Sequence, residues 1–458
     1  MKIAFFSSEV APFAKTGGLA DVAGSLPIAL ETEGVEVVIL APMYQTLSIK
    51  ENPTTIGEKT KVYWIEHPSY FSREGLYGDR FGDYSDNLDR FSYFCRQSLE
   101  SLKRIQFKPD LVHCHDWQTA LAPVYLKTLY RADPFFHRTK AVLTIHNMAY
   151  QGIFQSGEFS KVGIGSEWFM VEGLEFFGKV NLLKGGIQFA DAVTTVSPTY
   201  AQEIQTPEHG FGLDGVLNGQ KRQVIGILNG LDHQQWNPET DPHLIQNYST
   251  ATLDKKIENK LDLQEKGGLG VDKEIPLIGM VSRLADQKGL ELVAEMIRDL
   301  CSKLGQFILL GTGDNVYHTL FEKIHKKFDK TAAIYLKFDA ALAQKIYAGA
   351  DFFLIPSRYE PCGLGQMIAL RYGTIPIVRR TGGLADTVKD CDQTPDGNGF
   401  VFEEYSSKAL YQAVERGIKA FQNKERWKKL VQRAMECDFS WRISAKKYVK
   451  LYERVIAD

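Results

Sequence analysis

One hexapeptide, TGGLAD, occurs twice in this 458-residue chain, at 16–21 and again at 381–386. Lys15 precedes the first copy and Arg380 the second, and each copy follows an apolar run and opens a helix-like one. Two glycines at a strand-to-helix turn let the backbone come close to a ligand, and the helix start behind them presents free N–H groups and a partial positive charge. A phosphate fits such a place. A copy near each end of the chain predicts two similar domains, each offering a helix start to one shared ligand. Ordinary Gly-rich helix starts would explain either copy alone equally well; the repetition and its context favour the first reading.

Apolar runs alternate with helical ones along the whole chain. In the first half they lie at 3–6, 35–42, 62–65, 110–117, 141–147, 191–198 and 223–230. In the second they lie at 275–283, 306–314, 332–338, 351–357, 374–380 and 399–404. Runs apolar at nearly every position, with helices between, predict buried parallel strands and an α/β doubly wound architecture. Residues 231–273, with the Pro-rich turn at 237–242 and a charged helix over 253–266, form a seam. Two Rossmann-like domains facing across a cleft, 1–232 and 233–440, follow, with hinges expected at 231–240 and 438–442. The Gly- and Asp-rich stretch 75–89 reads as a mobile surface loop.

Composition narrows the function classes. The chain is too long for one core, and 44% hydrophobic with 24% charged residues suits a soluble globular protein. A net charge of −2 supplies no basic field for nucleic acid or an anionic membrane. No stretch approaches the roughly 20 apolar residues of a membrane span. MKIAFFSSEVAPF reads as a first strand, not a signal peptide. Six cysteines without a CxxC pair indicate neither a disulfide framework nor zinc, so reduced thiols and a cytoplasmic location are expected.

Ligands of open parallel sheets bind beyond the C-terminal strand ends. Those ends carry Glu9, Lys15, His113, His115, Asp116, His146, Asn147 and Asn229 in the first half. The second half adds Arg283, Lys288, GTGD at 311–314, Phe338, Glu360 and the pair Gly382 and Gly383. Arg, Lys and two helix starts can neutralise a diphosphate without metal. The cluster at 113–116 lacks a further ligand for a metal, His146 alone could be a satisfied core histidine, and Asp390-Cys391-Asp392 reads as turn chemistry. With neither GxGxxG nor GxxxxGKS/T in the required setting, nicotinamide and ATP chemistry have no anchor.

In order, KTGGLADV, HCHDW at 113–117, TIHN at 144–147, GILNGLD at 226–232, SRLADQKG at 282–289 and PSRYEPCGLGQMIALRYG at 356–373 closely resemble bacterial glycogen synthases and plant starch synthases. The resemblance runs from residue 1 to about 441. It implies the GT-B glycosyltransferase fold, with a last helix (441–458) that returns to the N-terminal domain. It also implies glucose transfer from ADP-glucose to the non-reducing end of an α-1,4-glucan, with retention of configuration. No cofactor and no metal are expected, and the partners are the donor and a maltooligosaccharide acceptor, not nucleic acid or membrane. Self-association stays open. A plastid stroma would replace the cytoplasm for a mature plant-type enzyme.

Carried onto this sequence, the resemblance assigns Lys15, Gly17 and Gly18 to the sugar nucleotide and Arg283 with Lys288 to its diphosphate. Glu360 falls close to the donor sugar, His146 contacts the glucose, and Asp21, Asp116, Asn147 and Asn229 line the cleft. Cys362, Gly363 and Leu364 of EPCGL join the substrate-binding set, while Thr381, Gly382 and Gly383 place backbone N–H groups near phosphate and sugar. Phe338 stands at the base-stacking position, where Tyr is more frequent, and Lys337 where Gly is usual. Glu360, His146, Lys288, Arg283 and Asp21 form the expected catalytic set. Retaining glycosidases use two carboxyls about 5 Å apart; no obvious second one is present, which favours same-face substitution with the leaving phosphate helping to deprotonate the acceptor. The rivals are a transferase using UDP-glucose or another acceptor, a pyridoxal-phosphate phosphorylase, and a non-catalytic glucan-binding member.

Overall fold

Strands apolar on both faces can be buried on both faces, and the computed structural model, which describes residues 1–49, 51–220 and 223–458, stacks them into two sheets. Contacts divide the chain into unit 1, Met1–Gly230 with Trp441–Asp458, and unit 2, Leu231–Ser440.

Unit 1 contains β1 (Lys2–Phe6), α1 (Gly18–Thr32), β2 (Glu36–Pro42), β3 (Thr54–Ile56), β4 (Thr60–Ile65), β5 (Leu111–His115), β6 (Lys140–Ile145), β7 (Ala192–Thr195) and β8 (Ile225–Gly226). The sheet order is β8-β7-β6-β5-β1-β2-β4-β3, parallel throughout except for the β3–β4 pair. The order reverses beside β1, whose Phe6 lies between Leu40 of β2 and Cys114 of β5. That crevice opens on Ser7–Glu9 and Asp116, the place where a doubly wound sheet binds ligands. The hairpin strand β3 is absent from the periodicity. It depends on the Asn52 side chain, which donates to Trp64 O and accepts from Trp64 N, both at 3.0 Å.

The C-terminal helix, Trp441–Ala457, belongs to unit 1. It buries Trp441, Tyr448, Leu451, Tyr452 and Val455 in the same core as Leu26, Leu30 and Ile39. Full burial of such side chains contributes about 1.5–3 kcal/mol each. At Gly230 a Cβ would lie 2.4 Å from the Trp441 Cα, so only glycine lets the helix start this close. Residues 153–181 add a small antiparallel sheet, Ile153–Gln155, Glu175–Phe176 and Lys179–Asn181. No helix among the described residues is long and apolar enough to cross a membrane.

Unit 2 contains β9 (Leu277–Val281), β10 (Gln306–Leu310), β11 (Ala332–Tyr335), β12 (Phe352–Ile355), β13 (Ile375–Arg379) and β14 (Phe400–Phe402). All are parallel, in the order β11-β10-β9-β12-β13-β14, so the reversal falls between β9 and β12. The charged run 253–266 is a 3₁₀ turn, Thr250–Lys255, with an α-helix only from Lys256 to Lys266. Asp390 and Asp392 form a turn, Asp392 N donating to Asp390 Oδ1. Arg416 bonds both carboxylates and Arg426 bonds Asp392, so arginines hold the DxD pair.

Candidate active site

Beyond β1, Glu9 builds the first TGGLAD loop. The residue is 3% exposed, and its carboxylate accepts from Thr16 N and Thr16 Oγ1 at 2.6 Å, from Gly17 N at 3.2 Å and from the Tyr77 hydroxyl at 2.7 Å. The loop then enters α1 with Gly17 as N-cap and no side chain capping the first turn. A Cβ at Gly17 or Gly18 would meet nothing within 4 Å, and Gly17 is extended. Neither glycine is required by this chain's own packing, which leaves space for a ligand against the backbone. Lys15 stands beside them, 2.6 Å from Asp21.

The second copy differs physically. Gly382 has φ of +43°, and a Cβ there would lie 2.0 Å from Glu360 O; one at Gly383 would lie 2.0 Å from Cys362 O. The Gly383 amide donates to Glu360 O and Pro361 O. These glycines serve the packing of one loop on another, so the expectation of a Gly383 N–H open to phosphate or sugar is corrected: it is spent inside the protein. The helix behind them is only Gly382–Thr387.

At the ends of β5 and β6 the histidines form a buried chain. The Tyr452 hydroxyl is 2.7 Å from His113 Nδ1, His113 Nε2 is 2.6 Å from Thr144 Oγ1, and His115 Nδ1 is 2.9 Å from His146 Nε2. Burial pushes His113 and His115 well below the usual histidine value and brings His146 to about 3, so all three rings are neutral. Asp116 Oδ1 accepts the His146 amide at 2.6 Å. Burial raises its carboxyl to about 7, against the pull of the His146 and Asn147 amides. Asn147 Oδ1 accepts from Ala149 N and shapes the following turn. Asn229 is buried with its Oδ1 lacking a partner among the described residues.

In unit 2, Lys288 Nζ lies 2.6 Å from Glu360 Oε2, which also accepts from Ser357 Oγ at 2.8 Å. Both ends come from the reversal point: Lys288 from the turn after β9, Ser357 and Glu360 from the loop after β12. Gly289 makes the approach possible. Its φ is +66° and a Cβ would be 2.1 Å from Pro356 O. Gln287 Nε2 donates to Tyr359 O, and Arg358 N to Gln287 O, locking the two loops together. A cavity of about 90 Å³ adjoins the pair, lined by Lys288, Ser357, Glu360, Gly363, Leu364 and Gln366 among others. Glu360 is the only carboxylate among its described lining residues.

Arg283 is exposed with no ion pair among the described residues, and Phe338 is 86% exposed, both open to a ligand. Cys362 is buried in the loop held by Gln366, whose Nε2 bonds Cys362 O and Gly363 O. Tyr77, Ser357 and Gln366 carry site geometry yet went unrecognised in the sequence. Tyr77 lies in the stretch 75–89, whose composition predicts a mobile loop; its hydroxyl is instead pinned between Ser8 and Glu9.

Residues 2–219 match the starch synthase catalytic domain family and residues 263–434 the glycosyl transferases group 1 family. The chain is 47% identical to the glycogen synthase of Thermosipho melanesiensis and 46% identical to that of Thermotoga maritima, covering 100% of this chain and 99% of the relative each time. Among solved structures, the catalytic domain of starch synthase IV from Arabidopsis thaliana bound to ADP and acarbose is similar with a TM-score of 0.92 at 37% identity, over 100% and 99% of the two chains. Sucrose-phosphate synthase from Thermosynechococcus elongatus shares the fold at a TM-score of 0.65 and 18% identity, over 100% and 99%.

Proposed function

The chain belongs to the glycogen synthase family, and we infer that it transfers glucose from ADP-glucose to the non-reducing end of an α-1,4-glucan with retention of configuration. The end-to-end identity of 47% carries this reading, and both units keep the polar groups it needs. In unit 1, the open backbone at Gly17 and Gly18 with Lys15 receives the donor's phosphates, and His146 meets the sugar, with Asn229 among the other polar groups of the site. In unit 2, Arg283 and Lys288 balance the diphosphate and Phe338 stacks on the base.

Breaking the glucosyl–phosphate bond builds negative charge on the diphosphate and positive charge on the ring. Cationic groups and amides stabilise the first, and Glu360 the second. Same-face substitution is preferred to a double displacement, which needs a carboxylate nucleophile and a separate acid, because Glu360 is already engaged by Lys288 and Ser357. The departing phosphate oxygen takes the acceptor hydroxyl's proton as the new glycosidic bond forms. The reading includes no cofactor or metal and a cytoplasmic enzyme. Incubation with 14C-labelled ADP-glucose or UDP-glucose and maltooligosaccharide tests it. Label should enter the glucan, preferentially from ADP-glucose, as α-linked product. No transfer from either donor, or a glycosyl adduct trapped on Glu360, overturns the corresponding part.

A further inference from the structure

We propose that His115 is a positioning residue that holds His146 in its Nδ1–H tautomer, so that His146 offers substrate a hydrogen-bond donor rather than a lone pair. The proposal rests on the reading that His146 meets the sugar. Its geometric part stands on the ligand-free protein.

The two rings share one contact, His115 Nδ1 to His146 Nε2 at 2.9 Å. Both rings are buried enough to be neutral, so each has a single N–H and one ring must donate to the other. The other His115 nitrogen, Nε2, is buried without a partner among the described residues. Phe5 lies over the ring, centroids 4.1 Å apart and planes 35° apart, and His113 lies 4.2 Å away on the same ring. Neither presents an acceptor to Nε2, because His113 has both nitrogens engaged with Tyr452 and Thr144.

Only two proton placements are possible. If His115 carried its proton on Nε2, a buried N–H would be orphaned, the rarer and costlier of the two unpaired states. With the proton on Nδ1, only a lone pair is unsatisfied and the N–H is used. His115 then donates, His146 Nε2 accepts, and the His146 proton resides on Nδ1. That atom has no partner among the described residues and is not sealed from solvent. The His146 main chain is held independently by Asp116 Oδ1, so ring orientation and tautomer are set by His115 while backbone position is set by Asp116. Sugar hydroxyl oxygens accept such a donor. In the other tautomer the same atom would require the hydroxyl to donate, reversing the direction of the bond.

The test is histidine nitrogen NMR on the full-length, ligand-free protein labelled at its histidines, with His146→Gln identifying the resonance. The proposal expects Nδ1–H for His146. An Nε2–H tautomer in the wild-type protein overturns it, with no bearing on whether the chain transfers glucose. In kinetics, His115→Leu should lower kcat for glucosyl transfer by about tenfold or more, as losing an orienting partner typically does, with KM for ADP-glucose little changed. His115→Asn, whose amide can donate from nearly the same position as Nδ1, should restore most of it. A folded His115→Leu protein with wild-type kcat, or an Asn variant no better than Leu, refutes the positioning role. If His115→Leu does not fold, the wild-type spectrum decides alone.

Discussion

Replacing Glu360 by Gln removes one end of the closest ion pair at the unit 2 reversal point. Lys288 and Glu360 are 2.6 Å apart, with side chains 17% and 10% exposed. At that separation and an effective dielectric near 20, the gross attraction is about 6 kcal/mol. Desolvation of both groups cancels much of it, but leaving one partner charged and unpaired in a mostly buried place costs about 3–5 kcal/mol. The Ser357 hydroxyl can still bond the Gln side chain, so we take the lower figure, about 3 kcal/mol. For a unit of this size that corresponds to a fall in Tm of roughly 6–12 °C. Lys288→Met should cost a similar amount. The double variant should lose less than the sum, by about 1.5 kcal/mol or more, because neither charge is then stranded. Thermal unfolding of the four proteins measures this directly. Kinetics well below the transition should show Glu360→Gln lowering kcat by about 10²-fold with KM for ADP-glucose little changed. A Glu360→Gln protein melting within about 1 °C of wild type, or single effects that simply add, would refute the stabilising role assigned to the pair.

Lys15 is largely exposed and its pair with Asp21 is worth at most about 1 kcal/mol, so Lys15→Gln should leave Tm nearly unchanged while raising KM for ADP-glucose more than it lowers kcat. The two TGGLAD copies should respond oppositely to the same change. Gly17→Ala keeps stability within about 1 kcal/mol and weakens donor binding, whereas Gly383→Ala drives a Cβ to 2.0 Å from Cys362 O and should destabilise by more than about 2 kcal/mol; comparing Tm with KM separates them. The buried histidines bind fewer protons folded than unfolded, so their contribution is fully present above pH 6.5 and is lost as pH falls toward the folded-state value, about 3 for His146. Asp116 has the opposite sign: its folded value is raised from 3.8 to about 7, so its contribution is complete below pH 3.8 and lost as pH rises through 7. Denaturant titrations across pH 4–7 should therefore show Asp116→Asn falling more steeply in stability than wild type as the solution is acidified. A parallel pair of curves would place Asp116 in water.

Much of this protein's fold is legible in its sequence. Runs such as VEVVILAP and QFILL, apolar at nearly every position and separated by helical stretches, predict buried parallel strands, and their polar ends name most of the candidate residues because the chain must turn there. The spacing of Tyr448, Leu451, Tyr452 and Val455 likewise predicts a last helix with one face to bury. These signals are short-range: they depend on neighbours a few positions away, which a sequence displays directly. The pairings that build the candidate site are of another kind. Glu9 meets Tyr77 across 68 positions, Lys288 meets Glu360 across 72, and His115 meets His146 across 31. The plainest case is the repeated hexapeptide. Its two copies are identical in letters, yet Gly17 and Gly18 face open space while Gly382 and Gly383 are pressed against Glu360 and Cys362 carbonyls. A glycine records only that something comes close. Whether that something is a ligand or the protein's own backbone is decided by what the fold brings up against it.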